Sequence, residues 1–79
     1  MWYVYVLQSI KTKVFYKGLT NDLERRLSQH FQGQSKTTKK LFPLKLVHVE
    51  ICKDRIEARK MEKFFKSGFG REVLNEIIG

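Results

Sequence analysis

Two stretches of this chain hold the side chains best suited to chemistry. VFYKGLTNDLERRLSQH, residues 14–30, places Tyr16, Gly18, Arg25, Arg26 and His30 within seventeen positions. Further on, Glu62 stands among Arg59, Lys60, Lys63 and Lys66. Tyrosine and histidine can move protons, and arginine offers a planar, permanently charged fork that matches phosphate. Each residue also has a plain reading. Glu62 pairs with Lys66 at i,i+4 for about 0.2–0.5 kcal/mol, Arg26 and His30 are ordinary residues on a helix flank, and the tyrosines simply pack.

Charge narrows the choice. Sixteen Lys and Arg against eight Asp and Glu leave a net +8 on 79 residues, a balance that favours a polyanionic partner, with nucleic acid first. The length supports one domain, residues 1–79. Apolar runs are only a few residues long, so no membrane span is expected. The opening WYVYVLQS has neither a basic leader nor a small-residue cleavage site, and the expected compartment is the cytoplasm. Cys52 is the single cysteine, which excludes an internal disulfide and a cysteine-cluster zinc site.

The elements that must position these residues can be read from the patterning. WYVYVLQS is aromatic, β-branched and uncharged, as a central strand covered on both faces should be. VFYKG resumes the pattern after a polar connection near 10–13, giving a hairpin. Thr20 or Asn21 is the expected N-cap of a helix over about 22–31, with Asn21 and Glu24 at capping-box spacing. GQSKTTKKLF, 33–42, reads as a flexible basic loop ended by Pro43. LKLVHVE is a third strand whose apolar residues are Leu44, Leu46, Val47 and Val49. Asp54 and Glu57 cap a second helix that Gly68 ends, and a short helix from about Arg71 to Ile78 closes the chain. The order is ββαβαα. It describes an α+β domain, a small three-stranded antiparallel sheet flanked by helices.

Helical geometry sorts the polar groups. At about 100° per residue, Leu23, Leu27 and Phe31 share one face of the first helix, and Arg26 and His30 share a flank at the edge of the core. Arg25 points the other way. Ala58, Met61, Phe64 and Phe65 form the apolar face of the second long helix, and Glu62 lies about 40° beyond Ala58. Gly18, at a strand end directly before a helix cap, allows a tight turn or the close approach of a ligand.

Taken together, Tyr5 in the first strand, Tyr16-Lys17-Gly18 closing the second, Arg26 ten residues after Tyr16, and Glu62 on a later helix resemble the GIY-YIG nuclease family. The likeness runs over essentially the whole chain and is nearest to small stand-alone bacterial members related to the nuclease domain of the excision-repair endonuclease. Tyr3-Val4-Tyr5 and Tyr16-Lys17-Gly18 take the places of the two signatures. Tyr3 replaces the first signature's glycine, Lys17 the second's isoleucine, and Leu19 a lysine common in excision-repair members. Asn75 is the one counterpart available for an asparagine found in larger relatives.

The resemblance implies a metal-dependent endonuclease that hydrolyses phosphodiester bonds in structured, damaged or single-stranded DNA, with little sequence specificity. Tyr5, Tyr16, Arg26, His30 and Glu62 would be its catalytic residues. Glu62 would hold one Mg²⁺ (or Mn²⁺), Arg26 would clamp the scissile phosphate, and Tyr16 leads Tyr5 and His30 as the group that activates water. Arg25, Lys36, Lys39, Lys40, Lys63 and Lys66 would follow the DNA backbone without reading sequence. So small a domain leaves room for a protein partner that presents the substrate. The alternatives are a catalytically weak nucleic-acid-binding module on the same scaffold and a basic face that binds an acidic protein.

Overall fold

The computed structural model describes residues 1–78. Trp2–Ser9 forms β1, Phe15–Thr20 β2 and Leu44–Cys52 β3, joined into one antiparallel sheet in the order β2-β1-β3. Leu23–Phe31 is α1, Lys36–Lys39 α2, Arg55–Lys66 α3 and Gly68–Ile78 α4. The expected α+β architecture is found, with the single helical turn α2 added between α1 and β3.

β1 lies at the centre, and every residue from Val4 to Ser9 is buried. Its alternation divides the core between the two faces of the sheet. Val4 and Val6 pack with Cys52, and with Ala58, Phe65 and Leu74 from α3 and α4. Tyr5 and Leu7 pack with Leu44, and with Leu23 and Leu27 from α1. Neither group of helices alone could cover a strand that is apolar on both sides.

β3 departs from simple alternation. Val6 pairs with His48 but Leu7 with Leu46, so Val47 is an extra residue in a β-bulge. The bulge turns Val47 into the α3–α4 side of the core and leaves Leu46 exposed, so the strand's apolar residues do not all serve the core.

Three features between β2 and β3 differ from expectation. The α1 cap is Asp22 rather than Thr20 or Asn21, because its carboxylate accepts the Arg25 N–H at 3.2 Å and its charge suits the positive helix end. Phe31 is 45% exposed, since it sits beside a surface hollow with Phe42 and Pro43 and is covered from one side only. The segment 33–42 is ordered around Thr38, which is fully buried, while Leu41 and Phe42 pack against the Tyr5 and Leu7 cluster.

Asp54 caps α3 as expected, accepting the Glu57 N–H at 2.8 Å. α4 begins at Gly68, three residues before its expected start, because Ser67 serves both helices. Its N–H donates to the Phe64 carbonyl at 3.1 Å, and its hydroxyl accepts the Gly70 N–H at 3.0 Å. A Cβ on Gly70 would collide with the Phe64 carbonyl, so only glycine lets α4 fold back against α3. No helix among the described residues is long and apolar enough to cross a membrane.

Candidate active site

β2 is an edge strand, and α1 and α3 reach its open side from opposite faces of the sheet. Between them lies a cleft of about 480 Å³. Tyr5, Tyr16 and Gly18 come to it from the sheet, Arg26 from α1 and Glu62 from α3. Residues far apart in the chain therefore share one surface because the edge strand leaves it uncovered.

Tyr5 and Gly18 are direct partners across β1 and β2. The Tyr5 ring lies over Gly18, where any Cβ would collide with its hydroxyl, so the glycine makes room for the phenol. The Tyr5 hydroxyl sits 2.8 Å from Nε2 of His30, and Nδ1 of that ring sits 2.8 Å from the Thr38 hydroxyl. His30 is fully buried. Burial, and then the nearby Arg26 charge, hold its imidazole below the usual histidine range. A neutral ring has one donor and one acceptor nitrogen, so Tyr5, His30 and Thr38 form a chain whose direction is set by the tautomer of the ring. Burial and the neighbouring Tyr16 raise Tyr5 above the ordinary phenol value, while Arg26 acts in the opposite direction. Tyr5 is thus held as the neutral phenol.

Tyr16 lies on the edge strand, half-buried, with its ring centroid 5.2 Å from that of His30 in an edge-on contact. Arg26 precedes His30 by one turn of α1, and its guanidinium donates to Gln29 Oε1 at 2.9 Å. That bond steadies the fork at the mouth of the cleft. The Glu62 side chain is 12% exposed, and its two oxygens meet Lys66 Nζ at 3.5 Å and Arg59 Nε at 3.9 Å. The surface pair expected from i,i+4 spacing is therefore present, and it forms part of the cleft wall.

Of the residues singled out in the sequence, Tyr5, Tyr16, Arg26, Glu62 and Lys66 line this cleft. His30 stands behind Tyr5, fully buried, with both ring nitrogens in hydrogen bonds, and is not part of the cleft lining. Lys36, Lys39 and Lys40 are exposed on and beside α2, Lys63 is exposed on α3, and none of the four lines the cleft. Arg25 borders a smaller hollow of about 160 Å³ on the other side of Arg26. Asn75 is exposed on α4 and stands apart from the cleft lining. Sequence reasoning does not mark Lys17, Arg59 or Thr38 as site residues. The alternation of β2 puts Lys17 on the same side as Phe15 and Leu19, a signal that is legible, whereas nothing local marks Thr38.

Among the described residues, no three His, Cys, Asp or Glu side chains converge. One carboxylate facing an open cleft nevertheless fits Mg²⁺, which binds through one or two carboxylates, substrate phosphate and retained waters. Arg59 and Lys66 compete for the same oxygens, so such a site would require substrate phosphate to draw the two cations away.

Fold and site together define a small α+β domain that gathers tyrosine, arginine and glutamate at the open edge of its sheet. The chain belongs to the GIY-YIG nuclease family: the family model described as the GIY-YIG catalytic domain matches residues 1–75. A UPF0213 protein of Syntrophus aciditrophicus is 43% identical over 77 residues, covering 95% of this chain and 87% of that one. A second, from Clostridium perfringens, is 39% identical over 67 residues, covering 84% and 71%. For a third, from Desulfotalea psychrophila, at 34% identity, the match spans 60% of the relative's length. Among solved structures, the solution NMR structure of a UPF0213 protein from Bacillus halodurans aligns over all of this chain and 87% of that one, with a TM-score of 0.59 and 31% identity.

Proposed function

We propose that this protein is a divalent-metal-dependent endonuclease that hydrolyses phosphodiester bonds of DNA with little sequence specificity, acting on structured, damaged or single-stranded substrates. The observation that carries the reading is the convergence of Tyr16, Arg26 and Glu62 on one cleft at the edge strand. Arg26 clamps the scissile phosphate and neutralises charge as it develops. Tyr16, the more accessible of the two signature tyrosines, orients the attacking water through its hydroxyl oxygen. Tyr5, held neutral and fixed by His30, donates a hydrogen bond at the phosphate. Glu62 would hold the metal ion, which when bound supplies Lewis-acid stabilisation of the phosphoryl and leaving oxygens. The exposed lysines of α2, with Arg25 and Lys63, give the DNA backbone a basic surface outside the cleft.

The test is cleavage of labelled single-stranded, duplex, flapped and branched DNA with Mg²⁺ or Mn²⁺, with Glu62→Gln as control. Cutting by the wild type alone supports the nuclease. The pairing of Glu62 with Arg59 and Lys66 favours a second reading, a binding module with weak turnover. Salt-sensitive binding without cleavage by the wild type would put that reading first.

A further inference from the structure

We propose that Lys17 and Lys66 form a second phosphate subsite, on the opposite side of the edge strand from Arg26, which holds the nucleic-acid backbone beside the bond being cut. This rests on the nucleic-acid reading above and adds a contact that the catalytic residues do not supply.

The strand dictates where Lys17 goes. In β2, Phe15 and Leu19 both pack into the α3–α4 side of the core, so Lys17 between them emerges on that side. A lysine on an edge strand usually extends into solvent, where it discourages pairing with another sheet. Lys17 instead lines the cleft together with Lys66, and its ammonium lies 5.5 Å from the centre of the Phe15 ring. Among the described residues no carboxylate lies within 4.0 Å of it, and the nearby Glu62 is engaged by Arg59 and Lys66. Burial, Arg71 and then Lys66 all disfavour its charge. Lys17 thus stands beside other cations with no carboxylate of its own, and an arriving anion offsets that repulsion. The cleft is continuous from Lys17 past Glu62 to Arg26, which makes that anion a second phosphate of the same strand.

The experiment measures binding in chelator, so that it does not depend on turnover. A fluorescent single-stranded oligonucleotide is titrated with wild type and with Lys17→Ile over a range of salt. One lost phosphate contact lowers the salt slope by about 0.7–0.9 and weakens binding roughly five- to eightfold near 0.1 M salt. Lys66→Met should lower the slope by a similar amount, and it tests the subsite again should Lys17→Ile misfold; since both lysines would meet one phosphate, the double variant should lose little more slope than either single one. Unchanged slopes, or losses that simply add in the double variant, would overturn the subsite alone. Failure of the wild type to bind at low salt would overturn the nucleic-acid reading and the subsite with it.

Discussion

The Tyr5 hydroxyl and the fully buried His30 ring are joined at 2.8 Å, and the far nitrogen of that ring is joined to Thr38 at the same distance. The single helical turn that carries Lys36 and Lys39 is thereby tied to a tyrosine of the cleft. The lysines that would meet DNA and the phenol that would meet its phosphate are mounted on one hydrogen-bonded chain.

Thr38→Val should leave an imidazole nitrogen unpaired in the core and destabilise the protein by about 1–3 kcal/mol. Thr38→Ser keeps the hydroxyl and should restore most of that stability. Urea unfolding measures both. If Thr38 also positions Tyr5 through His30, the valine variant loses kcat more than it raises KM, and serine rescues kcat.

The His30 imidazole should stay neutral below the ordinary histidine midpoint, because burial and Arg26 both disfavour its charge. As pH falls through about 6.5 the unfolded chain binds a proton that the fold refuses, so stability declines from there down to the folded value. An NMR titration of the His30 ring should give a midpoint below about 6.5, and melting at about pH 5.5 should come earlier than at about pH 7.5, values that bracket the free-histidine range. A ring that titrates at or above the free value would remove this account.

Gly18→Ala places a methyl group where the Tyr5 hydroxyl lies. Tyr5 must then leave His30 or the strands must separate, a strain of about 1–3 kcal/mol. Cleavage should fall together with stability, and Tyr5→Phe introduced alongside should relieve part of the stability loss by removing the colliding oxygen.

Arg26→Lys keeps the charge and removes the fork. Its guanidinium bonds Gln29 at the edge of the cleft and carries no buried ion pair among the described residues, so stability should change by no more than about 0.5–1 kcal/mol. Cleavage should fall roughly a hundredfold, the effect of losing one well-placed donor to a developing negative charge. Equal turnover by the two proteins would show that only net charge matters at this position.

Much of this was legible in the chain because the signals are local. An uncharged aromatic and β-branched run can only be a covered strand, and Asp54 with Glu57 marks a helix start by spacing alone. Tyr5, Tyr16, Arg26 and Glu62 were likewise recognisable from residue type and order. The cap at Asp22, the bulge at Val47 and the start of α4 at Gly68 were not, since each depends on which of several neighbouring groups finds a partner.

The sequence by itself determined the element order, the basic charge and the four side chains that meet in the cleft, all set by periodicity and composition along the chain. Tertiary structure decided the rest. His30 became a fully buried ring held between Tyr5 and Thr38, and Glu62 and Arg26, from helices on opposite faces of the sheet, came to one cleft. These outcomes depend on which face of the sheet each helix covers, and that is fixed by contacts between residues far apart in the chain, which no local spacing encodes.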